Sequence, residues 1–345
     1  MTKLENSGKV KKILVVRNDR IGDLILSLPA IASLRKGYPD AHIGVLIREY
    51  TQEILWNNPD IDEIIIDRGQ NVFELARQIA EKRFDLAIVL YPNWRNGWLC
   101  WLSGIPWRIG TGYKPVGILF NQKAYIHRTK IVHHEMDYCL KLVEKAGVQS
   151  VREKIQLQIK KEDKEYAQSL LEKYQVRNTI PLIGIHPGSG GSALNWPEHL
   201  YGRLIDLLSE KYGVKVVLTG SKEEVERILP QTYSQPVNLA GQTTLGQLMA
   251  VYSFYHLFIG PSTGPMHIAA GLGKPVIALF PPIRTQSSAK WGPQGEGHTV
   301  LMPDEIKCQY KRCRLQKCPF YNCMAQITPE QVLMAVVNVV RRVTS

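Results

Sequence analysis

Residues 13–29 read ILVVRNDRIGDLILSLP, and this stretch decides the fold. Ile13, Leu14, Val15 and Val16 make the continuous apolar run that a strand buried on both faces requires. An amphipathic helical pattern follows and runs through Leu34. Between them lies a short turn with Gly22, and Asp23 stands at the helix N-terminus. A strand, a short turn and a helix opening beside an acid form the ligand crevice of an open α/β sheet. Gly22 lets the backbone turn tightly, and the helix dipole favours the Asp23 carboxylate over the strand ends. The dinucleotide fingerprint G-x-G-x-x-G is absent, so a single acid here suits a general base better than a ribose clamp. Helix capping by Asp23 accounts for the same residues.

Outward from this segment, strand runs at 42–47, 62–66 and 85–91 alternate with helical patterns at 49–57 and 72–82, the rhythm of a parallel sheet with right-handed crossovers. Residues 133–146 read as another helix, ending at Gly147. A charged helical stretch, 160–174, leads to Pro181, where the linker falls. The plan then restarts. Strands at 182–186, 215–219, 237–239, 256–259 and 275–280 alternate with helices at 198–212, 222–229, 244–253 and 266–272. This predicts two α/β domains, 1–175 and 176–345, with two facing sheets, an active cleft between them, and the last helix free to pack back on the first domain.

A chain of 345 residues with 44% hydrophobic content is ordinary for a two-domain enzyme. No apolar run reaches the ~20 residues that cross a bilayer, and MTKLENSGKVKK has no signal-peptide core, so a cytoplasmic location is expected. Six cysteines in this length are not a disulfide scaffold. The net charge of +12 calls for an acidic partner. Between Asp85 and Glu135 there is no acid, while Arg95, Arg108, Lys114, Lys123, Arg128 and Lys130 alternate with Trp94, Trp98, Trp101 and Trp107. Tryptophans beside cations suit an interfacial belt or an anionic, partly apolar ligand; a solvated basic face with core tryptophans has the same composition. A second acid-free basic run carries Lys307, Lys311, Arg312, Arg314 and Lys317.

Two glycine turns follow strands in the second half. His186-Pro-Gly-Ser-Gly-Gly-Ser192 leaves backbone N–H groups free to face an anion, but lacks the Lys-Ser or Lys-Thr of a Walker loop. In Gly260-Pro-Ser-Thr-Gly-Pro-Met-His267, Ser262, Thr263 and the Gly264 amide suit a diphosphate. Either turn is also satisfied as a tight loop bonded internally.

In chain order, RNDRIGD (17–23), SGIPWRIGTGY (103–113), HHEMDYCLKLVEKAGV (133–148), HPGSGGSALNWP (186–197), VVLTGSKEE (216–224), the tract 239–282 with GPSTGPMH, and WGP (291–293) resemble the ADP-heptose:lipopolysaccharide heptosyltransferases of glycosyltransferase family nine. The resemblance implies the GT-B arrangement, two Rossmann-like domains with the acceptor on the first and the nucleotide-sugar on the second. It implies Asp23 as catalytic base, Ser189 and Ser192 in the loop that meets the donor phosphates, Glu224 beside the nucleoside, and Thr263, Gly264 and His267 in the donor-binding turn. Gly190 and Ser262 are expected as donor contacts from the two glycine turns themselves. Asn18, Arg20, Arg95 and Arg108 are the expected acceptor contacts. Where the family commonly has a lysine, this chain has Leu194, and in place of its Asn-Asp pair stand Pro261 and Ser262.

The expected reaction is inverting transfer of a sugar, heptose first, from a nucleotide-diphosphate donor such as ADP-heptose to an anionic glycolipid of the lipopolysaccharide core type. No metal or other cofactor is expected in it, and domain closure would complete the site. The protein would be cytoplasmic, touching the inner leaflet of the cytoplasmic membrane. A nucleotide-sugar epimerase of the same fold and a basic nucleic-acid-binding protein are the alternatives. The first needs no acceptor surface, and the second lacks any helix-turn-helix, RNA-recognition or zinc-finger signature, so nucleic acid is not an expected partner. Cys308, Cys313, Cys318 and Cys323 recur every fifth residue; four thiolates could bind zinc, but structural sites favour C-x₂₋₄-C pairs separated by a longer loop, so reduced thiols or partial pairing is the expectation.

Overall fold

The apolar run at 13–16 becomes a central strand of an all-parallel sheet, each of its four side chains fully buried. The computed structural model describes residues 10–128, 133–176, 181–304, 306, 308, 310 and 313–344. Lys130, Lys307, Lys311 and Arg312 therefore lie outside the described residues. The chain divides into two compact units, Met1–Gln158 and Ile159–Ser345.

The first unit carries β1 (Lys12–Val16), α1 (Ile21–Ile25), α2 (Leu28–Gly37), β2 (His42–Arg48), β3 (Glu63–Asp67), α3 (Val72–Glu81), β4 (Leu86–Val89), α4 (Trp94–Leu102), β5 (Trp107–Thr111), β6 (Gln122–Ala124) and α5 (Glu135–Val143). Its strand order is β3-β2-β1-β4-β5-β6. The order reverses between β1 and β4, and in such sheets ligands bind beyond the strand ends at that switch point. RNDRIGD leaves β1 at this place.

The second unit carries α6 (Lys161–Lys173), β7 (Leu182–Ile185), α7 (Glu198–Tyr212), β8 (Lys215–Leu218), α8 (Lys222–Glu226), β9 (Val237–Asn238), α9 (Leu245–Ser253), β10 (Leu257–Pro261), α10 (Gly264–Gly271), β11 (Val276–Leu279), α11 (Ser288–Trp291), β12 (Thr299–Leu301) and α12 (Pro329–Thr344). Its order, β12-β11-β10-β7-β8-β9, repeats the first plan. Both glycine turns leave strands at its switch point, one from β7 and one from β10. The two parallel six-stranded sheets bear out the expected α/β class.

Three readings change. The helix expected through Leu34 is broken, because Pro29 opens α2 without an N–H to continue α1 and the Ser27 hydroxyl donates to the Leu24 carbonyl. Gly22 lies inside α1 and is not among the left-handed glycines, so its value is not a special φ. The stretch 160–174, placed ahead of the boundary, is α6 and packs on α9 of the second unit, with the Tyr166 hydroxyl donating to the Gln242 carbonyl at 3.2 Å. Val332, Val336 and Val339 of α12 join the core that holds Trp196 and the apolar face of α7.

Candidate active site

The turn after β1 is organised by a buried arginine. Arg17 is 1% exposed, and its guanidinium donates to the Leu90 carbonyl at 3.0 Å, the Asp23 carbonyl at 3.0 Å and the Asp23 carboxylate at 2.7 Å. Asp19 lies 3.3 Å and Glu135 3.4 Å from the same group. Arg128 approaches Glu135 at 3.4 Å and donates to the Leu90 carbonyl at 3.2 Å. Three carboxylates thus surround one fully buried cation, with a second cation behind them.

That charge imbalance sets the protonation chemistry. Burial pushes the Asp23 carboxyl above the ordinary carboxylate range; Arg17 opposes the rise and Glu135 adds to it. Burial lifts Asp19 to about 7 against the pull of Arg17, helped by Asp23 and Glu135. Its Oδ1 is buried without a hydrogen-bond partner, since the nearby Arg17 nitrogen donates to the Asp23 carbonyl instead. Burial works against the charge on Arg17, but the surrounding acids, Asp19 foremost, hold it protonated. Asp23 itself makes no capping bond to α1. Its one close partner is Arg17, and a carboxylate raised toward neutrality at a switch point is equipped to accept a proton.

The Asp19 shift carries a stability prediction. Its folded value lies above the unfolded value of roughly 3.9, so the charged form is penalised in the folded protein above pH 7 and the penalty vanishes below about pH 4. Asp19→Asn is expected to raise the melting temperature at pH 8 and leave it unchanged at pH 4. Equal shifts at both pH values would contradict the assignment.

Beside this cluster, Asp67 at the end of β3 gathers the side chains read as acceptor contacts. Asn18 donates to it at 2.6 Å and exchanges amide hydrogen bonds with Asn96 at 2.7 and 3.0 Å. Arg95 donates to it at 2.8 Å and to the Gln70 carbonyl at 2.8 Å. Burial would raise Asp67, but Arg95, the Gly69 amide and Asn18 hold it below the usual range. Asn18 and Arg95 therefore fix the loop first and meet a ligand only with the groups they leave free. Arg108 is further committed: it donates to the carbonyls of Ile105 and Leu119 at 2.5 and 3.0 Å, bracing the turns around β5. An acceptor contact through Arg108 would compete with those bonds. Arg20 is exposed at the N-cap of α1, outside every ion pair among the described residues, and its charge acts on Asp23.

Arg17, Asp67, Asn96 and Glu135 were not singled out from the sequence. Their only sequence-level trace is an isolated polar residue next to an apolar run, which many surface residues share.

In the second unit, the loop after β7 begins at His186, buried and bonded to Thr219 at 3.1 Å and Tyr252 at 3.0 Å. Burial lowers its pKa to about 4 despite Glu224, so the ring is neutral at working pH. Gly190 and Gly191 take φ values of 51° and 75°, the left-handed region, with open space where a side chain would stand. Ser189 and Ser192 shape the loop: their hydroxyls donate to the carbonyls of Ala193 and Ser189 at 2.8 and 2.7 Å. Glu224 closes the capping box of α8 with Ser221 and takes the Gly190 amide at 3.5 Å. Burial raises it, but these Ser221 and Gly190 bonds hold it below the usual carboxylate range. A Cβ on Gly188 would fall 1.9 Å from the Glu224 carboxylate, so loop and acid fit only with glycine there. Leu194 is partly buried against the second core.

The turn after β10 opens α10, with Thr263 as N-cap but no side-chain capping bond. Pro265 has no N–H, so the first-turn amides of α10 that a bound anion would meet are those of Gly264 and Met266, next to the half-exposed Ser262. Thr263 and His267 are buried beneath. Among the described residues no helix is long and apolar enough to cross a membrane.

Two Rossmann-like units, one with an acid cluster and one with two glycine turns at its switch point, match the fold of GT-B glycosyltransferases. The chain belongs to glycosyltransferase family 9 (heptosyltransferase), whose sequence profile matches residues 72–319. Asp23 lies ahead of that stretch. A Haemophilus influenzae protein named provisionally as a glycosyltransferase is 31% identical over 92% of this chain and 96% of its own length. The crystal structure of a family 9 glycosyltransferase from Veillonella parvula superposes with a TM-score of 0.83 at 27% identity, covering 96% of this chain and 97% of that one. Escherichia coli ADP-heptose lipopolysaccharide heptosyltransferase II superposes with a TM-score of 0.79 at 25% identity, over 97% of this chain and 100% of that one.

Proposed function

We propose that this glycosyltransferase moves heptose from ADP-heptose to an anionic glycolipid of the lipopolysaccharide core, inverting the anomeric carbon. One observation carries the reading: a carboxylate raised toward neutrality, Asp23, at the switch point of one unit, matched by two anion-ready amide turns at that of the other. The acceptor hydroxyl gives its proton to Asp23 as its oxygen attacks the sugar C1 and the bond to the diphosphate breaks. Because Asp23 must be ionised, activity falls as pH drops through its raised value, at higher pH than an ordinary carboxylate near ~4 would set.

The departing diphosphate meets the 188–192 amides, Ser262, and the uncapped amides of α10, which neutralise developing charge without reorganising. These amides and hydroxyls hold the diphosphate without a metal. Calorimetry with ADP, UDP and GDP tests the donor: ADP is expected to bind tightest, and binding by none of the three at millimolar concentration would overturn the reading.

The acceptor's lipid explains the composition of α4. Trp94, Trp98 and Trp101, spaced i, i+4, i+7, are 42–51% exposed on one face of that helix, and Trp98 and Trp101 stack edge to face at 5.5 Å. Ile118, in the 3-10 turn packed against α4, is 77% exposed. Indole belts of this kind settle at the headgroup level of a bilayer. Replacing Trp98 and Trp101 together by Ala is expected to lower partition onto anionic vesicles at least several-fold with ADP binding unchanged; equal partition would contradict a membrane role for α4.

A further inference from the structure

The segment 302–328 joins β12 to α12 with nothing longer than short 3-10 turns, at Leu315–Lys317 and Cys323–Gln326, among its described residues. Connections this long without regular structure are uncommon inside a compact unit and need something to hold them. Among its described residues Pro303, Ile306, Met324 and Ile327 are buried and anchor it in apolar surroundings. Within it Cys308, Cys313, Cys318 and Cys323 all line one cavity, though the even spacing argued against a site. None of the four is a core residue, in contrast to the fully buried Cys100 and Cys139.

The same cavity is walled by Leu194 and Asn195, the residues that follow the 186–192 loop. The Trp196 indole next to them donates to the Ile327 carbonyl at 2.8 Å. Thus the cysteine segment and the end of the loop share one support. The chain from 306 to 328 has no acid and carries Lys307, Lys311, Arg312, Arg314 and Lys317. A divalent ion held by four thiolates has a net charge of −2, which a segment of this composition offsets. This gives the second basic run a role that no acidic macromolecule needs to fill.

We propose that Cys308, Cys313, Cys318 and Cys323 bind one soft divalent transition-metal ion, zinc(II) or iron(II), as a structural tetrathiolate that fastens this segment to the end of the glycine loop. The four-residue intervals let the backbone wrap a tetrahedral ion with sulfurs at about 2.3 Å. Among the described residues no three potential ligands already stand at metal-binding positions, so binding draws the sulfurs inward and closes the cavity. The ion lies apart from the diphosphate turns and has no part in the transfer step.

The test uses the full chain, reduced and treated with a chelator, then titrated with Zn²⁺ against a chromophoric competitor and with Co²⁺ in parallel. One equivalent is expected, with the near-ultraviolet thiolate-to-cobalt charge-transfer band and a rise in melting temperature as metal is added. Loss of an outer-shell partner of a metal ligand costs about 10–100-fold in affinity, so Cys→Ser at any of the four should cost at least the lower figure. Cys100→Ala should keep the stoichiometry of one. Binding no tighter than that of a Cys308→Ser/Cys318→Ser double variant would overturn the proposal, as would recovery of the four thiols as two intramolecular disulfides that form equally well with zinc present.

Discussion

Asp23→Asn is expected to lower kcat by roughly 10²–10⁴-fold, the usual contribution of a positioned general base, while the dissociation constant for ADP stays within twofold. The amide keeps the size of the carboxylate and accepts the 2.7 Å hydrogen bond from Arg17, so the turn after β1 keeps its shape. It cannot take a proton at neutral pH. Steady-state kinetics with ADP calorimetry on the same protein separate the two effects. A variant with most of the wild-type kcat would leave Asp23 as a partner of Arg17 and no more.

The largest stability effect is expected at Arg17. Removing one partner of a buried ion pair typically costs about 3–5 kcal/mol, because the remaining charge is left without compensation. Arg17→Ala leaves Asp19, Asp23 and Glu135 facing each other, and it frees the Leu90 carbonyl from one of its donors. The first unit should melt well before the second, giving two separated transitions in place of the wild-type profile. Arg17→Lys should fall between, since an ammonium keeps the charge but not the planar fork that reaches the Leu90 carbonyl and the two Asp23 oxygens together. Unchanged melting of Arg17→Ala would mean that the acids are already neutral when folded.

Much of this was legible in the sequence because parallel strands buried on both faces write themselves as apolar runs. Nine strands were readable in that way, β1 through Ile13–Val16 being the plainest. The three that were not are β5, β6 and β12. Trp107–Thr111 has three half-exposed residues, and Gln122–Ala124 and Thr299–Leu301 are three-residue edge strands with little apolar signal. The helix α4 was hidden by its own composition, since indoles turned to solvent erase the amphipathic contrast that marks a helix. The stretch 49–57, patterned as a helix, forms a 3-10 helix over Glu49–Leu55 instead.

The site shows the same division. Asp23 and the two glycine turns stand out because strand ends and glycines mark switch points in the chain itself. Arg17, Asp67 and Glu135 do not, because their roles exist only once residues far apart in sequence meet: Glu135 reaches Arg17 from α5, and Asp67 reaches Asn18 and Arg95 from β3. Charge counting along the chain marked Arg95 and Arg108 as ligand contacts. The structure gives both internal carbonyl or carboxylate partners, which a one-dimensional charge map cannot register.

The most direct test of the central claim is acceptor-dependent release of ADP from ADP-heptose by the purified protein, using glycolipid from a strain that lacks it and mass spectrometry of that lipid afterwards. The account predicts ADP release only when acceptor is present, a gain of one heptose per lipid, and loss of both with Asp23→Asn. Acceptor left at its starting mass while ADP-heptose stays intact, or equal turnover by the Asp23→Asn protein, would contradict it.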